Sequence, residues 1–168
     1  MARLWGLLCC AVLVGCNYNT TGRSAGNVGN IYIPFFADET SGERAPELGV
    51  RLTEMLVMEF MSDQAIRVYQ GTSERDLADK ELIGTVKRLS ESILSRAPNE
   101  TEEEYRVVVT CSIQYSDLET GETIWQNGNV FGDGNYRIEA GDAGFAAALE
   151  EALEEVVQKV LDKTIRAW

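Results

Sequence analysis

A stretch of twelve residues in the second half of the chain alternates between apolar and mostly polar side chains. One set of alternate positions holds Tyr105, Val107, Val109, Cys111, Ile113 and Tyr115, and the other holds Arg106, Val108, Thr110, Ser112, Gln114 and Ser116. Successive side chains of a strand point to opposite faces, so the pattern predicts a β-strand with one buried and one mostly polar face. The fold must therefore cover one side of this strand.

Two more strands are expected beside it along the chain. Glu81 to Ile93 has strand character of mixed pattern, and residues 95–103, with a proline and several acids, form a turn. Residues 118–122 form a second tight turn, after which Thr123 to Phe131 is predicted as a strand. These segments should pair as an antiparallel meander.

The N-terminal part of the domain adds a strand over residues 30–36, which are rich in β-branched and aromatic side chains. Pro34 has no backbone N–H, which places this strand at a sheet edge or near its own end. Ala65 to Gln70 also has strand character. The sequence leaves open whether the second strand begins there or only at Glu81.

Two helices are predicted from apolar residues at helical spacing. The first begins near Pro46 and runs to about Asp63, and the second follows a glycine-rich loop with Asp142 as its N-cap. Their apolar stripes are Leu48, Leu52, Met55, Leu56 and Phe60, and Leu149, Leu153, Val156, Val160 and Leu161. The simplest fold class is α+β, with two helices packed on one face of a mostly antiparallel four-stranded sheet in the order β-α-β-β-β-α.

The N-terminus has the features of a secretory signal. Arg3 precedes an apolar run from Leu4 to Val14, which is too short to span a membrane. Leu13-Val14-Gly15-Cys16 resembles the bacterial lipobox, which predicts cleavage before Cys16 and acylation of that cysteine; the alternative is an ordinary secreted protein with a cysteine there. The predicted organisation is a signal peptide at 1–15, a lipidated Cys16 with a flexible tether at 16–29, and a single α+β domain at 30–168.

Composition argues against several classes of function. The chain has no histidine, and Cys111 is the one thiol expected to stay free, so we expect no cofactor and neither a zinc site nor a Cys-His catalytic pair. A net charge of −12 makes general binding to nucleic acid improbable, because phosphate contacts need clustered Lys and Arg. The sequence also contains no Gly-x-Ser-x-Gly elbow and no phosphate-binding loop. We therefore expect a protein that is not an enzyme.

Several segments, in their order and spacing, resemble the lipopolysaccharide-assembly lipoprotein (LptE) family. In the first half of the chain they are the Ile33-Pro34-Phe35-Phe36 strand end with its Ala37-Asp38-Glu39-Thr40 loop, the helix at 48–60 and the strand entry at 76–86. In the second half they are Arg106-Val107-Val108-Val109, Asp117-Leu118, Ile124-Trp125 and the last helix. The chain departs from the family at Ala37-Asp38, where Asn is common. The resemblance covers residues 16–168.

The resemblance implies a non-catalytic role in a Gram-negative cell envelope. Family members are outer-membrane lipoproteins that sit as a plug inside a large β-barrel partner, LptD-like here, which with them inserts lipopolysaccharide into the outer leaflet. The acyl chains on Cys16, palmitate among them, would hold the protein at the inner leaflet. Asn17 after that cysteine fits sorting to the outer membrane.

Lipopolysaccharide carries phosphates, so direct contact would need basic side chains. The candidate ligand-binding residues are Lys87, Arg88, Arg96 and Arg106 near the first hairpin. The alternative is that these four are solubilising charges on an acidic protein.

A second interpretation of the whole chain is a periplasm-facing lipoprotein adaptor that activates a cell-wall synthase or serves a curli-type secretion system. Such proteins tend to have a longer tether, whereas the tether here is about thirteen residues.

Overall fold

The computed structural model describes residues 29–40, 44–63, 65–96 and 103–165. In chain order the elements are β1 (Asn30–Tyr32), β2 (Ala37–Asp38), α1 (Leu48–Ser62), β3 (Arg67–Tyr69), β4 (Lys80–Arg96), β5 (Glu103–Asp117), β6 (Thr123–Arg137) and α2 (Gly141–Thr164). Short 3₁₀ helices lie at Thr72–Leu77 and Ile138–Ala140. The predicted signal peptide and Cys16 lie outside the described residues.

The elements form one six-stranded sheet in the order β3-β1-β4-β5-β6, with β2 also paired to β4. The long strands β4, β5 and β6 are antiparallel, as predicted for the meander, and β1 is parallel to both of its neighbours. The α+β class is confirmed, but the four-stranded sheet is wrong. Both 67–69 and the segment from residue 80 are strands, and β2 has only two residues, too few to show a period of two.

Both α-helices pack on the same face of the sheet. The inward residues of β5 are the predicted alternate set, and they share one core with Leu48, Leu52, Leu56 and Phe60 of α1 and Leu149, Leu153, Val156 and Val160 of α2. A period of 3.6 in the helices and of 2 in the strand places these side chains on facing surfaces. The sequence favours a helical turn within residues 72–80, and Thr72–Leu77 forms one as a 3₁₀ helix; the 3₁₀ helix at Ile138–Ala140 lies in a segment predicted as loop.

Helix α2 approaches β6 very closely at two glycines. A Cβ atom added at Gly132 would overlap the carbonyl oxygen of Ala152, and one at Gly134 would overlap that of Ala148. The glycine-rich loop predicted before the second helix covers residues 132–141, and the prediction is wrong for 132–137, which are part of β6. Glycine occurs at these two strand positions because a side chain there would prevent the backbone of α2 from lying against β6.

The start of α1 is held by β2. Burial alone would raise the pKa of the Asp38 carboxyl. Hydrogen bonds from Thr40 and from the backbone N–H groups of Leu48 and Gly49 outweigh it, so the pKa is lowered. These N–H groups belong to the first turn of α1, where a negative charge is favourable. The helix begins at Leu48, two residues after Pro46, and Glu47 precedes it with a positive φ of 59°.

The predicted N-cap of α2 is also wrong by two residues. The residue at the cap position is Ala140, and Asp142 lies inside the first turn of a helix that begins at Gly141. An acid in the first turn is favourable through the helix dipole, so the residue signals the helix start without capping it.

Two side chains of α2 bind backbone groups on the outer edge of β6. Lys159 Nζ donates to the carbonyl oxygen of Phe131 at 2.7 Å, and Glu155 Oε2 accepts the N–H of Asp133 at 2.8 Å. Unpaired strand edges otherwise attract further strands. The helix thus occupies part of an edge that β5 leaves unpaired.

Candidate functional site

The side of the long strands that faces away from both helices is called the open face below. On β5 it consists of Arg106, Val108, Thr110, Ser112 and Gln114. Its register partners are Ser92, Ser90, Arg88, Thr85 and Ile83 of β4, and Asn135, Asp133, Phe131 and Gln126 of β6. Most of these side chains are hydroxyls or amides, and the open face is therefore rich in hydrogen-bonding groups.

A β-bulge sets which β4 residues reach the open face. The register with β5 shifts between Val86 and Arg88, so Lys87 is an extra residue in the strand. Ile83 and Thr85 point outward before the bulge, and Arg88 and Ser90 do so after it. The bulge shifts the phase of alternation by one residue and accounts for the mixed pattern of this segment.

Arg106 is a paired charge on the open face. Its Nε lies 2.9 Å from Asp133 Oδ2 and its terminal Nη2 lies 2.7 Å from Oδ1, a two-point contact. The hydrogen bond from Arg106 lowers the pKa of the Asp133 carboxyl, and the same bond raises the pKa of Arg106. This pair leaves little net charge for a ligand.

Lys87 is paired as well, but away from the centre of the open face. Its Nζ lies 2.9 and 3.0 Å from the two carboxylate oxygens of Glu39, in the loop after β2. Both side chains are largely exposed, so the ion pair is weak and solvent can compete for it.

Arg88 differs from both of these cations. It is exposed and lies opposite Thr110 in the register, and its guanidinium has no hydrogen bond or ion pair with another residue of the described ranges. Arg106 lies four residues before Thr110 on β5, about 13 Å away at the usual strand rise. Arg88 and Arg106 are therefore not adjacent on the open face.

Arg96 is the last residue of β4, paired with Glu103 in the register, and its side chain lies outside the described part. Cys16 is likewise outside it.

A shallow depression of about 140 Å³ lies on the open face near the start of β4. It is lined by Ile83, Gly84, Thr85, Ser112, Gln114 and Gln126, and we call this set the neutral zone. Ile83 is 37% exposed, although it is a large apolar residue. Sequence reasoning missed this zone because no motif marks it; the only signal was the run of polar residues at even positions of β5.

Neither metal nor thiol chemistry has a clear place in the described part of the chain. No group of three His, Cys, Asp or Glu side chains in that part is arranged to hold a metal ion. Cys111 is fully buried in the core, and burial raises the pKa of its thiol to about 12. The thiol therefore stays protonated at neutral pH and is unreactive.

Neither α-helix has the length and apolarity needed to cross a membrane, as judged over the described residues.

The fold has counterparts among solved structures. The hypothetical protein CT253 of Chlamydia trachomatis superposes with a TM-score of 0.54 at 11% identity, covering 82% of this chain and 98% of that one. Protein XCC0632 of Xanthomonas campestris gives 0.52 at 12% identity, covering 82% and 84%. These likenesses place the chain in a class of α+β domains in which helices cover one face of a sheet. No curated protein sequence matches the chain.

The family itself is settled by sequence. The profile of the lipopolysaccharide-assembly family, LptE, matches residues 28–164, which is nearly all of the described domain. The chain belongs to this family, and the resemblance noted from its motifs is confirmed. Membership supports a role in lipopolysaccharide assembly and fits a lipid-anchored protein of the cell envelope.

Proposed function

We propose that the protein is an outer-membrane lipoprotein that occupies the lumen of a large β-barrel partner, LptD-like, and assists it in placing lipopolysaccharide in the outer leaflet. The role is non-catalytic. The observation that carries the proposal is the family match over residues 28–164. Within that range the long strands present an open face of hydroxyls and amides. Such a face suits the polar interior of a barrel.

The proposed anchor is the acylated Cys16. The described domain begins at Gly29, and the next residue, Asn30, donates its backbone N–H to Asp79 Oδ2 at 3.0 Å, just before β4 begins. The tether therefore joins the sheet at the end where β1 meets the start of β4. Acyl chains at the inner leaflet would hold this end of the domain near the membrane.

Affinity purification tests the partner. The full-length protein, tagged at its C-terminus, is purified from outer membrane solubilised in mild detergent, with Cys16→Ser as the matched control. We expect a large β-barrel to copurify with the acylated protein and to be strongly reduced with Cys16→Ser, because the unacylated protein leaves the membrane. Recovery of a cell-wall synthase or a secretion component without a barrel would favour the adaptor function and contradict the plug.

Depletion of the protein tests the process. We expect surface lipopolysaccharide to fall when the protein is depleted and to recover when it is supplied again. Unchanged surface lipopolysaccharide would count against the proposed role even if a barrel copurifies.

We also propose that Arg88 contacts lipopolysaccharide phosphate, since it is the candidate cation whose guanidinium is exposed and without a described partner. Lys87 and Arg106 are secondary candidates because Glu39 and Asp133 already bind them, and Arg96 stays a candidate from sequence. Arg88→Glu should weaken binding of the full-length protein to lipopolysaccharide about tenfold, as expected for a lost charge-assisted contact. The control is Arg67→Glu, an exposed arginine on β3; equal losses for both variants would mean that these arginines act only as general surface charge.

A further inference from the structure

We infer that the neutral zone of the open face is the part of the domain that lies against the inner wall of the barrel, receiving neutral polar side chains from it. This inference rests on the proposed plug function and goes further by naming the contact surface. The zone is concave, holds about 140 Å³, and lies on the sheet side that α1 and α2 leave uncovered.

The chemistry of the zone fits a neutral polar partner. Its lining offers the hydroxyls of Thr85 and Ser112 and the amides of Gln114 and Gln126, with Ile83 as an exposed apolar contact. The lining contains no Lys or Arg, so it offers a phosphate no counter-charge. Interfaces lose charged residues at their centres, and hydroxyls and amides can exchange water for partner hydrogen bonds when they are buried.

The opposite side of the domain is a poorer surface to bury. Exposed carboxylates lie on both helices, at Glu54 and Glu59 of α1 and at Glu151 and Glu154 of α2. No described ion pair involves these four residues. Removing an unpaired carboxylate from water is far more costly than removing a hydroxyl that finds a new partner. The helical side is therefore expected to stay solvated.

The position of the zone agrees with the tether. Ile83 and Thr85 lie three to five residues after Lys80, where β1 pairs with β4 and where the described chain begins. The segment between Cys16 and Gly29 is about thirteen residues long. A short tether keeps this end of the sheet close to the membrane that holds the barrel, so the zone is the part of the open face brought nearest to it.

The β6 edge of the sheet also favours contact through the neutral zone over pairing of a barrel strand with that edge. Lys159 and Glu155 already bind backbone groups of Phe131 and Asp133 on β6. A barrel strand could not pair there without displacing them. Strand addition is therefore disfavoured at this part of the β6 edge, and the contact proposed here uses side chains of a face.

Site-specific photo-crosslinking in cells tests the surface, with copurification of the barrel as an independent readout. A photoreactive amino acid is placed at Thr85 or Ser112 in the neutral zone, and at Ala147 or Glu151 on the exposed side of α2. We expect the barrel to crosslink from the neutral zone at least about tenfold more strongly than from α2. Because the two α2 positions are more exposed than the two in the neutral zone, unspecific crosslinking would be stronger from α2.

The outcomes separate this inference from the proposed function. If the barrel copurifies but crosslinks from α2 or from neither surface, the neutral zone is not the contact and the plug function stands. If the neutral zone crosslinks to a second copy of the chain or to lipopolysaccharide in place of the barrel, the inference is overturned in favour of that occupant. If no barrel copurifies, the proposed function fails first.

Charge insertion gives a second test. Ser112→Glu should lower barrel recovery at least about tenfold, because a carboxylate would be buried against the wall, whereas Ala147→Glu on α2 should leave it unchanged. Gln126→Glu adds a charge with almost no change in shape and should also lower barrel recovery. It replaces Ser112→Glu as the test if that variant melts at a lower temperature than the unmodified protein. Full recovery with Gln126→Glu in a normally folded protein would overturn the inference.

Discussion

The two faces of β5 differ although their residues alternate along one strand. Val107, Val109 and Cys111 on the helix side are fully buried, whereas Val108 and Thr110 between them are only half-buried on the open face. Side chains on the first face share one core with residues of both helices and are sensitive to changes in volume. Substitutions of side chains on the second face are expected to change the stability of the fold little. The fold therefore leaves the open face available for binding.

The largest expected effect comes from adding a side chain on the packed face, between β6 and α2. We expect Gly132→Val to destabilise the domain by about 3 kcal/mol or more, because the new Cβ would overlap the Ala152 carbonyl oxygen and backbone cannot yield as a side chain can. The matched control is Gly128→Val on the same strand, where an added Cβ meets nothing within 4 Å. Urea unfolding measures both, and similar losses would contradict the close packing.

A smaller change compares the two faces directly on neighbouring residues. Val109→Ala should cost about 2 kcal/mol through lost burial and the cavity left behind, and Val108→Ala about 0.5 kcal/mol or less. The chemistry of the two substitutions is identical, so the difference in urea midpoint reports the faces alone. Equal midpoints would mean that the open face is packed as tightly as the core.

The edge between the faces should show a weaker effect. Glu155→Gln combined with Lys159→Met keeps the net charge and removes the charged contacts to β6, for an expected loss of about 1 kcal/mol. Sedimentation should also show greater self-association, because the strand edge is freed. Glu154→Gln with Lys163→Met is the control on the same helix, and equal association in both would show that the edge contacts have no protective role.

The smallest expected effect is a dependence on pH at the end of the sheet. The hydrogen bond from Lys80, followed by that from the Thr120 N–H, lowers the pKa of Asp117 from 3.8 to about 2. A carboxyl with a lowered folded pKa stabilises the fold above the unfolded value, and this contribution is lost as the pH falls from about 4 towards 2.

Asp117→Asn should therefore flatten the dependence of the urea midpoint on pH between about 4 and 2. The amide oxygen can still accept the backbone N–H groups of Glu119 and Thr120, so the turn is kept. Glu119→Gln, an exposed acid in the same turn, is the control. An unchanged pH profile for Asp117→Asn would show that its ion pair with Lys80 contributes nothing.

The same contrast explains how much of the fold the sequence predicts. The burial pattern of β5 was predictable residue by residue because its pairing with β4 leaves no extra residue on β5; at the register shift opposite Thr110 and Cys111 the extra residue belongs to β4. The pattern of β4 was not, since the extra residue Lys87 reverses which alternate positions face the core. Gly132 and Gly134 are typical of loops, and their place in a strand follows only from the approach of α2.

The candidate site was less predictable than the fold. Residue type identified Arg88 and Arg106 as candidates, but it did not show that Arg106 is paired, because its partner Asp133 lies 27 residues later in the chain. Lys87 is paired with Glu39 across 48 residues. Such contacts are set by strand register and loop placement, and neither leaves a local pattern in the sequence. The neutral zone contains no charged residue, so no residue type in the sequence indicates a binding site there.

Strand β4 has a further consequence through its length. Its 17 residues, at about 3.3 Å each, extend roughly 55 Å from the end of the sheet where the described chain begins. The hydrocarbon core of a bilayer is about 30 Å thick. Under the proposed function, a domain held by a lipid at one end of this strand would therefore reach, within the barrel, well past the depth of the membrane that the barrel crosses.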